Sequence, residues 1–344
     1  METANTPVNR VNAEHVNVKH EHTDAPAIRV RSLVKRYAKA KTNAVDGVSF
    51  DVARGEIFGL LGPNGAGKTT IIGVLTTGII PTEGAATIMD VDVARDPIDV
   101  KRRIAVVPQQ SNLDRSLRVR EILTFHAAYH GVPHKEREAL ADQLLDELGL
   151  GERKNDKVNR YSGGMAQRLM IARALMHAPD VLFLDEPTNN LDPQSRLFLW
   201  ERIRALHAGG LTILLTTHDM DEADQLCDRI AIMDHGKILV NDTPAQLKTM
   251  IPGGTALEVR AHADGIDSEA IRGRVAAALQ AIPGATKVEE TEEFVYRVYA
   301  ESANTLIGPA AQAVLAAGAE VRDLSIKQPS LEEVFIFLTG RHLR

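Results

Sequence analysis

Gly62-Pro63-Asn64-Gly65-Ala66-Gly67-Lys68-Thr69 is the stretch on which the reading of this chain turns. It follows an apolar, strand-like run, Ile57–Leu61, and opens a helical pattern at Lys68. A GxxxxGK[ST] string between a strand and a helix is a phosphate-binding loop. Its glycines let backbone N–H groups turn toward an anion, and the helix N-terminus adds positive potential. The spacing assigns the cradle to Gly62, Pro63, Asn64, Gly65, Ala66, Gly67, Lys68, Thr69 and Thr70. Lys68 is placed to bridge β- and γ-phosphates, and the Thr69 hydroxyl to ligate Mg²⁺.

Downstream, Val181-Leu182-Phe183-Leu184-Asp185-Glu186 is an apolar strand ending in two acids. Open α/β sheets bind ligands at the C-terminal ends of their strands, so Asp185 is expected to hold Mg²⁺, directly or through water. Glu186, one residue further, points elsewhere and is expected to polarise a water for attack on the γ-phosphorus. Paired acids after a strand say little alone. Behind a phosphate-binding loop they specify hydrolysis of a nucleoside triphosphate.

Between these two motifs stands Tyr161-Ser162-Gly163-Gly164-Met165-Ala166-Gln167-Arg168, opening a helical pattern through Met176. This segment resembles the LSGGQ signature of ATP-binding cassettes, departing from it at Tyr161 and Met165 but keeping Ser-Gly-Gly intact. Other landmarks of that family occur in order. Tyr37 stands where the family stacks an aromatic on adenine. Gln109, or its neighbour Gln110, resembles the Q-loop glutamine that senses Mg²⁺ and the attacking water. Asn190-Leu191-Asp192 resembles the D-loop that crosses to a partner subunit, and His218 the switch histidine that contacts the γ-phosphate. The resemblance runs from about Ile28 to Leu247. It implies an ATPase using ATP and Mg²⁺, with Glu186, His218, Lys68 and Gln109 catalytic, and Thr69, Gln109 and Asp185 around the metal. Ser-Gly-Gly at a helix start is a second anion site, although one nucleotide needs one phosphate loop. It makes sense if Ser162, Gly163 and Gly164 bind the γ-phosphate held by another copy's Lys68, so that ATP joins two copies head to tail.

Composition narrows the rest. With 46 acidic against 40 basic residues the net charge is -6, which disfavours nucleic acid as a partner because phosphate contacts supply most of that affinity. The single cysteine, Cys227, excludes an intramolecular disulfide and fits a reducing compartment. No apolar run approaches the ~18 residues needed to span a bilayer, and no signal-peptide pattern opens the chain. Transport therefore requires another chain to form the pore.

The length of 344 residues predicts two domains. Residues 1–26 are predicted to be a disordered tail; its His15, His20 and His22 lack a carboxylate or cysteine framework for metal. Residues 27–250 alternate strands and helices, predicting an α/β domain around a largely parallel sheet. A helical insert over about 111–160 contains Arg120–Tyr129 and His134–Leu148. After a break at Ile251-Pro252-Gly253-Gly254, residues 255–344 read strand, helix, two strands, helix, strand, a small ferredoxin-like α+β module. Here Phe294–Tyr299 is expected as a strand and Ala303–Ala317 as a helix. The closing Gln328-Pro329-Ser330-Leu331-Glu332-Glu333-Val334-Phe335 and Leu338-Thr339-Gly340-Arg341 resemble the tail of ATPases in the daunorubicin-resistance-like subfamily. That resemblance implies export through a separate six-span permease of the ABC-2 type, from the cytoplasmic face of the inner membrane. Leu117, Ile122, Leu123, Phe125 and Tyr129 of the insert are candidates for gripping the permease, or equally for internal packing. The competing reading is a soluble cassette acting as a switch on a ribosome or DNA client.

Overall fold

The computed structural model describes residues 25–251, 255–263, 268–300 and 303–340. The predicted disordered tail, with His15, His20 and His22, lies outside these residues except for its last two positions, and so does Arg341. The chain divides between Asn241 and Asp242 into two compact units.

In the first unit, β1 (Ile28–Lys35) and β2 (Val45–Val52) precede β3 (Ile57–Leu61), which leads into α1 (Lys68–Leu75). Next come β4 (Glu83–Ile88), β5 (Val91–Asp92), α2 (Pro97–Arg103) and β6 (Ile104–Val107). Helices α3 (Val119–Tyr129) and α4 (His134–Glu147) then separate β6 from α5 (Gly163–Leu175). The run continues through β7 (Val181–Asp185), α6 (Pro193–Ala208), β8 (Thr212–Thr217), α7 (Met220–Leu226), β9 (Arg229–Asp234) and β10 (Lys237–Asp242).

A six-stranded sheet has the order β10-β9-β3-β8-β7-β6, with β9, β3, β8, β7 and β6 parallel. β3, β7 and β8 are buried at every position. Strands covered on both faces are unbroken apolar runs rather than alternating ones, and IFGLL and VLFLD fit that pattern. Register places Leu61 beside Thr217 and Asp185 beside Thr216. Three neighbouring strands therefore deliver the phosphate loop, Asp185-Glu186 and His218 to one edge of the sheet.

The sheet is not the only one in this unit. β1 and β2 belong to a separate antiparallel sheet of order β2-β1-β4-β5. Its inner residues Ile28, Val30, Val48 and Phe50 share one core with Phe58, Ile71 and Phe183. Phe50 stacks on Phe58 with centroids 5.1 Å apart.

The insert carries α3 and α4, held by Leu123, Ala141, Leu144 and Leu145 in its interior. Arg120 crosses to α4 with a bidentate bond to Asp142 at 2.9 and 2.8 Å and a contact to Glu138 at 2.7 Å. Of the apolar positions that are candidates for either the permease contact or internal packing, Ile122 and Leu123 are buried, whereas Phe125 and Tyr129 are exposed. His126 of α3 is half-buried. Burial first, then the charges available to His130, His177 and Arg173, push its imidazole down to about 4. The unfolded chain, near pKa 6.5, takes up that proton first as pH falls. The contribution is thus full above about pH 6.5 and lost toward pH 4, on the order of 2–3 kcal/mol in all. We expect the urea midpoint of this unit to drop between pH 7.5 and pH 5, and His126→Asn to flatten the dependence. A midpoint as high at pH 5 as at pH 7.5 refutes this account.

The second unit begins with α8 (Pro244–Thr249), which packs against α11 (Leu331–Thr339). Between them lie β11 (Ala256–His262), α9 (Ser268–Gln280), β12 (Lys287–Glu292), β13 (Val295–Tyr299), α10 (Ile307–Ala316) and β14 (Glu320–Lys327). The sheet order is β12-β13-β11-β14 with antiparallel neighbours, the arrangement of a ferredoxin-like module. Two local expectations are corrected. Phe294 is not in a strand but in the β12–β13 turn, at φ 59° with its ring buried. The helix expected from Ala303 divides into a 3₁₀ turn, Ala303–Leu306, and α10. Pro309 lacks an N–H to donate, so it fits only within a helix's first turn, which sets the start of α10 near Ile307.

Candidate nucleotide and catalytic site

β3 ends at Leu61, and the loop that follows is pinned at its start by Gly62 N donating to Thr217 O at 3.3 Å. Ala66 N donates to Pro63 O at 3.1 Å inside the turn. Gly67 caps α1 at φ 106°, and a Cβ there would lie 2.5 Å from the carbonyl oxygen of Ala44. Both the dihedral and the close approach require glycine. Gly67→Ala should therefore strain or displace the loop at a cost of about 1–3 kcal/mol, weakening ATP binding roughly tenfold. Titration with a fluorescent ATP analogue measures this, and unchanged affinity refutes it.

Lys68 is buried. Its ammonium donates to Gly62 O at 2.6 Å and Pro63 O at 3.2 Å and stands 3.7 Å from Glu186 Oε1. Burial holds its pKa below the ordinary lysine value, against the opposing pull of Glu186 and Asp185. Thr69 is exposed, and its hydroxyl faces Asp185 Oδ1 at 3.5 Å. Thr70 Oγ1 meets the hydroxyl of Tyr37 at 3.3 Å, so the half-exposed Tyr37 ring stands beside the start of α1.

Asp185 closes β7, and its Oδ1 accepts from Thr216 Oγ1 at 2.6 Å. The same Thr216 hydroxyl accepts from Glu186 N at 3.1 Å. Glu186 takes φ 48°, a strained conformation for a non-glycine residue, which turns its side chain away from the direction of Asp185. Its two carboxylate oxygens are then shared out. Oε1 lies 3.7 Å from Lys68 Nζ and 3.4 Å from His218 Nδ1. Oε2 accepts from Gln109 Nε2 at 2.8 Å and Asn189 Nδ2 at 3.1 Å. Of the two candidate glutamines, it is Gln109 that reaches Glu186. Beyond the carboxylate a small cavity of about 50 Å³ is lined by Glu186, Asn189, Asn190, Thr217, His218 and Asp219 among others.

Thr69 and Asp185 offer hard oxygen donors, and the Gln109 carbonyl is the end of that amide not committed to Glu186. That donor set fits Mg²⁺, which prefers a few carboxylate and hydroxyl oxygens together with phosphate.

Ser162, Gly163 and Gly164 form the N-terminal turn of α5. Ser162 is exposed and caps the helix by accepting from Met165 N at 3.3 Å. A Cβ on Gly164 would come within 2.5 Å of Ser195 Oγ, so the turn sits tightly on α6. Among the described residues no hydrogen bond joins this turn to the Lys68–Glu186 cluster. The D-loop segment follows, with Asn190 at φ 60° and Asp192 capping α6 by accepting from Ser195 N at 2.9 Å.

Sequence reasoning missed five supports of this site. Thr216 links both acids, Asn189 holds Glu186, and Thr188 donates at 2.7 Å to Glu222, which Trp200 Nε1 also reaches at 3.2 Å. Glu222 is buried in α7, and burial raises its pKa despite these donors. The available signal was three threonines in the otherwise apolar strand Thr212–Thr217, since buried hydroxyls need partners.

Comparison with known proteins agrees with this geometry. Residues 45–189 match the family model of the ABC transporter. The chain is 40% identical over 315 residues to the daunorubicin/doxorubicin resistance ATP-binding protein DrrA of Streptomyces peucetius, covering 91% of this chain and 92% of that protein. It is 39% identical over 320 residues to the Nod factor export ATP-binding protein I of Ralstonia nicotianae, covering 93% and 95%. Among solved structures, an ATP-binding subunit of an ABC transporter aligns with TM-score 0.60 and 32% identity over 65% of this chain and 92% of the other. A dimeric ATP-binding cassette in a post-hydrolysis state with ADP and Pi aligns with TM-score 0.59 and 26% identity over 63% and 98%.

Proposed function

This chain belongs to the ATPases of the ABC transporter family, and on that premise we propose that its ATP hydrolysis drives export through a separate membrane-embedded permease. The observation that carries the catalytic part is the setting of Glu186. One carboxylate at the sheet edge is oriented by Lys68, Gln109, Asn189 and His218, beside a glycine loop built for phosphate.

In this reading the loop N–H groups and Lys68 hold the triphosphate, and Tyr37 covers the base. Glu186 takes the proton from the attacking water, Gln109 and Asn189 keep its carboxylate aimed, and His218 steadies the γ-phosphate. Bound Mg²⁺, held by Thr69 and Asp185 with Gln109 nearby, supplies neutralisation of phosphate charge. The Ser162-Gly163-Gly164 turn, exposed at Ser162 and Gly163, receives the γ-phosphate of a second copy in this reading, so ATP closes a head-to-tail homodimer and hydrolysis opens it.

Among the described residues no helix is long and apolar enough to cross a membrane; in this reading a separate permease chain forms the pore. We place this subunit at the cytoplasmic face of the membrane, with the exposed Phe125 and Tyr129 of α3 toward an ABC-2-type partner. The roles in the relatives' names, drug resistance and Nod factor export, favour this over a ribosome or DNA client. Tagged protein purified from gently solubilised source membranes tests it. A stoichiometric polytopic partner is expected; recovery only with ribosomes or DNA overturns the proposal.

A further inference from the structure

We propose that His126, His130 and His177 form a binding site for one divalent transition-metal ion of the Zn²⁺ class within the helical insert and the end of α5. The site is separate from the nucleotide and from its Mg²⁺.

His126 and His130 are four residues apart on α3, the spacing that stacks side chains on one helix face. His177 follows α5, which packs against α3. Each histidine offers a ring nitrogen, and the three nitrogens lie within 4.8 Å of one another. His177 Nε2 stands 2.9 Å from the carbonyl oxygen of Ile104. A carbonyl can only accept, so Nε2 carries the proton and Nδ1 presents its lone pair. That Nδ1 is buried with no hydrogen-bond partner, and so is Nε2 of His126. Two orphaned ring nitrogens in one cluster are exceptional, because buried polar atoms are nearly always satisfied. One ion satisfies both. A backbone carbonyl on the far nitrogen is also the outer contact that orients metal-bound histidines.

The donor set selects the ion. Three imidazoles and no carboxylate suit Zn²⁺, Cu²⁺ or Ni²⁺ and not Mg²⁺ or Ca²⁺. The charged group facing His126 is Arg173, whose guanidinium is engaged with Asn112 Oδ1 at 2.6 Å. Its charge favours an anion or hydroxide as the fourth ligand. Zn–N bonds of about 2.1 Å put ligand nitrogens roughly 3.4 Å apart, so the rings must close modestly. His130, stacked on His177 with centroids 3.9 Å apart, is the ring that turns. Binding would fasten α3, which bears the exposed Phe125 and Tyr129, to the helix that begins at Ser162.

The test uses full-length protein with His15, His20 and His22 replaced by alanine, which removes the tail histidines as competing ligands. The protein is equilibrated with Zn²⁺ in excess Mg²⁺ without nucleotide, dialysed, and assayed by elemental analysis and zinc-edge X-ray absorption. One zinc per chain, with an imidazole-rich first shell at about 2.0–2.1 Å, is expected. His177→Ala should weaken binding by more than the roughly 10- to 100-fold that losing an outer contact costs. His130→Ala, at a half-buried ring, gives the same readout if His177→Ala does not fold, with circular dichroism and MgATP hydrolysis as controls. No zinc in the tail variant, or equal zinc after His130→Ala, overturns the proposal.

Discussion

Glu186→Gln is expected to leave ATP binding intact, cut hydrolysis by roughly 10²- to 10⁴-fold, and elute as a dimer in MgATP. The substitution is nearly isosteric, so the strained backbone at φ 48° and the loop around it need not move. What changes is the chemistry at two oxygens. The carboxylate accepts from Gln109 and Asn189 on one side and faces Lys68 and His218 on the other. A carboxamide keeps one acceptor and presents an NH₂ at the second position, so it can satisfy one side but cannot take a proton from water. With hydrolysis blocked, the proposed head-to-tail dimer would keep ATP between the phosphate loop of one copy and the Ser162-Gly163-Gly164 turn of the other. Gel filtration with and without MgATP, alongside phosphate release, reads both effects. Monomer persisting in MgATP counts against the head-to-tail dimer, and near-normal turnover against Glu186 as the base.

Much of this site could be read in advance because its parts are local. The phosphate loop is eight consecutive residues, and a buried strand ending in Asp185-Glu186 announces its own C-terminal edge. The parallel strands were legible because burial on both faces leaves unbroken apolar runs. β4 was missed, since Glu83-Gly84-Ala85-Ala86 has neither alternation nor branched side chains. It is a strand because β1 pairs with it, and a Cβ on Gly84 would lie 2.3 Å from Ser32 O. The contacts that aim Glu186 were invisible for a different reason. Gln109 reaches it across 77 positions of chain, and only the pairing of β6 with β7 makes them neighbours, whereas Asn189 reaches it from 3 positions on through the turn that follows β7. The histidine cluster is the same case: the His126–His130 spacing is visible in sequence, but the approach of His177 is tertiary.

Lys68→Met is expected to abolish the stabilisation that MgATP confers while changing the ligand-free protein little. Methionine keeps the unbranched stem in a site where Lys68 is 4% exposed, so packing is nearly conserved. Deleting the ammonium removes a buried charge that is costly to desolvate and leaves Glu186 with Gln109, Asn189 and His218 as partners. The two effects oppose each other in the free protein. They do not oppose each other when triphosphate is bound, because the positive charge is what the β- and γ-phosphates meet. If the dissociation constant rises about 100-fold, nucleotide at 100 times the wild-type constant stabilises the variant by ~0.4 kcal/mol instead of ~2.7. At 2–4 °C per kcal/mol for a unit of this size, a melting shift of about 5–10 °C shrinks to about 1 °C. Differential scanning fluorimetry with and without MgATP measures it. A variant that keeps the full shift would mean that the loop N–H groups alone carry phosphate affinity. A variant that melts far lower without nucleotide would mean that Lys68 is chiefly a counter-ion for Asp185 and Glu186.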